Sequence, residues 1–144
     1  MSVIKLALKV WGEEHWIVNI DYCGKLLKLK KMHRCSIHHH KKKTETFYIV
    51  KGQVLLELQD NAYMMLPGDA IDILPGQDHR FTGMVDSEIM EFSTHHEDED
   101  SYRTVCSGKV EKYHLPELNE KIALAKNNND VIRKVENGKE EDRS

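Results

Sequence analysis

The sequence predicts an all-β domain, an antiparallel sandwich or small barrel, followed by a short C-terminal helix. Between Trp16 and Thr94 the chain is a succession of short segments rich in β-branched and aromatic residues, separated by Gly, Pro, Asn and Asp. No long amphipathic helix interrupts them, which argues against a parallel sheet, whose crossovers need helices. After Cys106 the pattern becomes helical, and this sets the end of the β region.

The first segment, "VIKLALKV", is an extra N-terminal strand. It is followed by "HWIVNI", "KLLKLK", "ETFYIV", "QVLLELQ", "AYMML", "AIDIL", "HRFTG" and "SEIMEFST", with "KGQ", "QDNA", "LPGD" and "LPGQD" supplying turns. In "LPELNEKIALAK" Pro116 falls in a first helical turn and Leu118, Ile122 and Ala125 share a face; the asparagines at 127–129 are expected to end the helix. The polar "ENGKEEDRS" reads as disordered. The expected organisation is a barrel over residues 1–114, a helical segment over 115–136 and a tail over 137–144.

A chain of 144 residues fits one domain, which at that size buries about 70% of its unfolded surface and needs no staples. Its 21 Lys and Arg against 24 Asp and Glu give no basic surplus for nucleic acid. The charges are unevenly placed: eight Lys or Arg and no acid from Lys25 to Lys43, then seven acids and no Lys or Arg from Asp86 to Asp100. These are either two solvated faces or a basic rim that attracts an anionic small molecule. Cys23, Cys35 and Cys106 form no CxxC pair, so reduced thiols fit best. No apolar run approaches the ~20 residues of a membrane span, and a soluble cytoplasmic protein without membrane contact is expected.

The chemistry concentrates in "CSIHHHKKKTETFYIVKG". Side chains alternate along a strand, so His38 and His40 point to one side and His39 to the other. Glu45 shares a side with Phe47 and Ile49, and a carboxylate among inward apolar residues needs a cation or a proton. Further on, "GDAIDILPGQDHRF" ends a strand in a Pro-Gly turn and delivers His79 beside Phe81. Three imidazoles and a carboxylate suit a divalent Mn, Fe, Co, Ni or Zn with positions left for water or substrate.

At these residues the chain resembles the cupin superfamily, whose first motif is G-x5-H-x-H-x3,4-E-x6-G and second is G-x5-P-x-G-x2-H-x3-N. The first reads His38-x-His40-x4-Glu45-x6-Gly52 here, with Met32 at the leading glycine. The second runs from Gly68 through Gly76 to His79, with Pro75 one place late and Gly83 replacing the final Asn. The resemblance implies a jelly roll, a double-stranded β-helix, with His38, His40, Glu45 and His79 holding one divalent metal inside it. "KTETFYIVKG" and "EFSTHHEDEDSYR" look like segments of sugar-isomerase cupins, both the lyxose isomerase type and the type II phosphomannose isomerase domain. Trp11-Gly12, Ser36, His79-Arg80 and Glu99-Asp100 with Arg103 are similar to pieces of the latter.

The activity this implies is aldose–ketose isomerisation of a sugar or sugar phosphate through a metal-stabilised cis-enediol. Such a reaction needs a Lewis acid on the substrate oxygens and a base above the C–H bond. The resemblance puts that base at Glu91, a carboxylate of the metal cavity, although alternation alone leaves open which side of its strand faces inward. Lys43, two residues before Glu45, would protonate the enediolate or hold its charge. Arg103 and Lys42 would favour an anionic sugar, and Trp16 and Tyr48 either pack or line the sugar pocket. Competing readings are a non-catalytic sugar-binding or sensing cupin, an iron-dependent dioxygenase, and a dehydratase or epimerase of nucleotide sugars. A homodimer is expected from the extra strand and the sheet edges.

Overall fold

The structure is a computed structural model and describes residues 2–137. Its strands are β1 (Lys5–Lys9), β2 (Gly12–Asn19), β3 (Tyr22–Leu29), β4 (His33–Arg34), β5 (Ile37–His39), β6 (Glu45–Lys51), β7 (Val54–Leu58), β8 (Asn61–Met65), β9 (Ala70–Ile73), β10 (His79–Gly83), β11 (Ser87–Thr94), β12 (Tyr102–Val105) and β13 (Gly108–Lys109). They pair antiparallel in two sheets. The first runs β1-β2-β3-β11-β6-β9; in the second, β10 is flanked by β7, which leads on to β8, and by β4 and β5, which lead on to β13 and β12. This is the jelly roll the motifs imply.

β10 and β11 coincide with the predicted "HRFTG" and "SEIMEFST". β4, β12 and β13 were not predicted, because β4 and β13 have only two residues and β12, exposed throughout, shows no apolar face. Both Pro-Gly pairs form turns in which the glycine supplies the positive φ that a type II turn requires. Asp69 N–H donates to Leu66 O at 2.9 Å with Gly68 at φ 93°, and Gln77 N–H to Leu74 O at 3.2 Å with Gly76 at φ 84°. The late position of Pro75 therefore makes a compact turn and displaces no ligand. Met32, at the family's glycine position, adopts the left-handed conformation itself, with φ 56°.

The main core lies between the sheets, where Leu27, Leu29, Phe47, Ile49 and Ile89 of the first meet Leu56 and Phe81 of the second. Trp11 packs edge-on against Phe81 at 5.1 Å. A smaller core on the back of the second sheet buries Leu55 and Ala62 under Val110, Leu118 and Ala125.

The last two of these residues belong to α1 (Leu115–Asn137). This helix runs straight through the asparagines expected to stop it. Asparagine is a poor helix former because its amide competes for nearby backbone, but here the amides are engaged elsewhere. Asn129 donates to Met64 O at 2.7 Å and accepts from Met64 N–H at 3.2 Å, and Asn128 donates to Ala62 O at 2.8 Å. The expected disordered tail lies outside the described residues from position 138 onward. None of the described helices is long and apolar enough to cross a membrane.

Candidate metal centre and its cavity

His38 on β5 and His79 on β10 are cross-strand partners, so two ligand candidates distant in sequence sit side by side. His40 follows β5, and its carbonyl accepts Gly76 N–H at 2.7 Å, which ties the second motif's turn to the first motif. Glu45 opens β6 in the other sheet; with Phe47 and Ile49 it is buried, while Tyr48 and Val50 on the opposite face are exposed. The ligand nitrogens of His38, His40 and His79 lie within 4.8 Å of one another. Glu45 Oε2 stands 3.3 Å from His40 Nε2 and 3.0 Å from His79 Nε2.

The tautomers follow from what lies behind each ring. Nδ1 of His38, His40 and His79 donates to the carbonyls of Ser36, Asp100 and Gln77 at 2.9, 3.0 and 2.9 Å. A ring whose proton sits on Nδ1 presents a lone pair at Nε2. Glu45 Oε2 and His79 Nε2, 3.0 Å apart and both buried, nevertheless share no hydrogen bond, because neither has a proton to give. Three imidazole lone pairs and a carboxylate oxygen with no donor among them repel one another unless a cation stands between them. The residues present fit a divalent metal.

Burial alone would push the Glu45 carboxyl up, yet it is held well below the usual range, and the Lys43 ammonium 3.3 Å from Oε1 favours its charged form. Burial, reinforced by His79, pushes His38 down to about 3 and so keeps its ring neutral.

Beside this cluster lies a second one. The Lys43 ammonium is buried between Glu45 Oε1 at 3.3 Å, Glu91 Oε2 at 3.2 Å and His96 Nδ1 at 2.9 Å. Glu91 faces inward with Ile89, whereas Phe92 is exposed on the other side. Two carboxylates thus compete for one ammonium. Glu45 keeps its charge, and Glu91 is pushed up by burial and by the charge of Glu45. Burial would lower Lys43, but Glu91 and Glu45 more than reverse it. His96 passes its other nitrogen to Asp98 at 2.9 Å and is pushed down to about 4 by burial and by Lys43.

These groups line a cavity of about 90 Å3. Arg103, paired in register with His38, also lines it. The other expected substrate residues lie elsewhere. Lys42 turns outward to Glu97 at 3.2 Å, and Tyr48 sits on the outer face of its sheet. Trp16 is buried behind the wall, where it packs edge-on against His96 at 5.1 Å.

Sequence reasoning gave no role to Lys25, Glu14 or His96 and met Asp100 only within the Glu99-Asp100 resemblance, yet all four border this region. Lys25 did carry a signal, since it is in phase with the inward Leu27 and Leu29, as Glu45 is with Phe47 and Ile49. His96 and Asp100 sit outside the strands and carry no such phase.

Residues 26–94 match the cupin domain family. No curated protein matches the chain. Among solved structures, KdgF from Halomonas sp. is 17% identical with a TM-score of 0.62, over 69% of this chain and 96% of that one. The capsular polysaccharide assembling protein CapF from Staphylococcus aureus is 16% identical with a TM-score of 0.63, over 70% of this chain and 34% of that one. An oxalate decarboxylase from Bacillus subtilis is 15% identical with a TM-score of 0.61, over 69% and 30%. The chain thus spans nearly all of KdgF but about a third of the other two. At these identities the likeness is one of fold. With the family match, the two-sheet jelly roll and the convergent His38, His40, Glu45 and His79 all in agreement, the chain carries a cupin domain over residues 26–94.

Proposed function

We propose that this cupin is a metal-dependent aldose–ketose isomerase acting on a sugar or sugar phosphate. The observation that carries the reading is a buried acid–base pair, Glu91 and Lys43 at 3.2 Å, set directly against the convergent donors of the metal centre. A divalent ion held by His38, His40, Glu45 and His79 would supply Lewis-acid polarisation of a carbonyl oxygen. Glu91, whose burial raises its proton affinity, takes the proton from the carbon beside that carbonyl and returns it to the neighbouring carbon. The Lys43 ammonium holds the negative charge that develops on the enediolate while the hydroxyl proton passes from the oxygen on the second carbon to the former carbonyl oxygen, which completes the exchange of carbonyl and hydroxyl. Because the cavity opens to solvent, the proton on Glu91 exchanges between the two steps.

The sugar assignment is supported by the "KTETF" and "EFSTHHEDEDSYR" segments, since the cupin fold alone serves many chemistries. Arg103 at the cavity supports a preference for an anionic sugar, whereas Lys42 is engaged by Glu97 and takes no part. Free Cys23, Cys35 and Cys106 support a reducing cytoplasm. Pairing of two copies is supported by the edge position of β1, where Leu6 and Leu8 are exposed.

The test is solvent deuterium incorporation at C2 over a panel of aldoses and aldose phosphates. Glu91→Gln should lower turnover by ~10²–10⁴ with metal content unchanged. Equal loss of metal and turnover would make Glu91 a ligand, and unaltered turnover would remove it from the chemistry. Metal binding without turnover on any sugar leaves a sensor, and oxygen consumption with ferrous iron leaves a dioxygenase. Arg103→Met should narrow the gap between phosphorylated and free sugar, and Lys42→Met should leave it unchanged.

A further inference from the structure

Two buried ammonium groups face the cavity, and they differ in how they are satisfied. Lys43 has three partners within 3.3 Å. Lys25 is 2% exposed and has no hydrogen bond among the described residues: its nearest carboxylate oxygen, Glu14 Oε1, is 3.6 Å away. That oxygen already accepts Trp16 Nε1–H at 3.0 Å. The rest of the Lys25 head lies over the Trp16 ring, 4.0 Å from its centroid, and a ring face takes no conventional hydrogen bond. A buried ammonium with unused donors is costly unless something in the cavity accepts them.

The charge of the wall points the same way. Four cations line it, Lys9, Lys25, Lys43 and Arg103. Four carboxylates oppose them, Glu14, Glu45, Glu91 and Asp98. These cancel, so a bound divalent ion would leave the wall positive and favour an anionic ligand.

Volume narrows the ligand. The cavity of about 90 Å3 is small, so the bulk of the ligand's anionic group counts. A phosphate group brings five non-hydrogen atoms. A carboxylate brings three and is a planar two-oxygen acceptor that one ammonium can serve.

We infer that the cavity takes a short sugar acid, with its hydroxyl-bearing end toward the metal centre and its carboxylate hydrogen-bonded to Lys25. This rests on the isomerase reading for the chemistry, but not for the binding. Calorimetric titration of the metal-loaded chain with erythronate, erythritol and glycerol 3-phosphate tests it. The acid should bind at least ~10-fold tighter than the other two. Lys25→Met should weaken erythronate by ~10–100-fold and leave erythritol unchanged. Glu14→Gln keeps an oxygen for Trp16 but frees Lys25 from a competing charge, so it should tighten erythronate. If Lys25→Met fails to fold or loses metal, Glu14→Gln decides the matter alone.

The inference is overturned if both variants keep the wild-type ratio of acid to polyol, which would mean that the metal alone recognises the carboxylate. Tighter binding of glycerol 3-phosphate overturns it as well. Turnover does not enter these titrations. A chain that isomerises nothing but shows the ratio loses the isomerase reading and keeps the Lys25 site, while one that isomerises neutral sugars without the ratio loses only the site.

Discussion

Asp100 shows how much one side chain can organise from outside the site. Its carboxylate accepts the backbone N–H groups of Lys41, Lys42 and Lys43 at 3.0–3.2 Å, and its carbonyl takes the Nδ1 proton of His40. One residue therefore sets both a metal-facing ring and the loop that carries Lys43. Asp100→Ala strands three donors, and it should cost more than ~2 kcal/mol in chemical denaturation and weaken metal binding; Asp100→Asn, which keeps one acceptor oxygen, should fall between. At this scale the sequence was readable where chemistry conflicts with local pattern. Glu45 among inward apolar residues is such a conflict, and so is Lys25 in phase with Leu27 and Leu29. It was unreadable for His96, whose place against Lys43 depends on a contact 53 residues away that no local rule encodes.

Among the elements, α1 makes contacts that its composition conceals. Among the described residues β8 pairs only with β7, so its other side would be an open edge. Asn128 and Asn129 occupy that edge, and Asn129 makes both bonds that a neighbouring strand would make to Met64. Asn129→Ala should raise helix propensity yet lower stability by about 1–3 kcal/mol, seen as a fall in Tm of several degrees. A rise in Tm would mean that these amides contribute nothing. The strands were legible because their turn residues are explicit. The helix end was not, since a run of asparagines is a stop signal only while its amides are free to bond locally. Gly52 illustrates a readable turn: at φ 93° its α-carbon faces Ser87 and the Asp86 carbonyl with no room for a β-carbon.

Across the whole molecule, the metal centre joins the two sheets. Glu45 comes from β6 of the first, while His38 and His79 come from β5 and β10 of the second. A cation bound there cross-links the layers, so it should stabilise the fold beyond its local contacts. At an ion concentration 100 times its Kd the gain is about 2.7 kcal/mol. Chelation should therefore lower Tm measurably. His79→Ala should abolish the difference between loaded and chelated protein, and His39→Ala should preserve it, because His39 turns away to Asp78 and Tyr102. Equal responses in the two variants would remove His79 from the site. This long-range arrangement was legible only through the motif spacing, which encodes in sequence intervals what the register of β5 and β10 realises in space.

The carbonyls behind the three imidazoles have one more effect. Rings pinned from behind cannot retune themselves to suit one ion over another, and so discrimination passes from the protein to its surroundings. A rigid nitrogen-rich cage follows the general order in which later first-row ions outcompete manganese and iron. The cell's metal supply, as much as the chain, would then decide which ion a loaded centre contains.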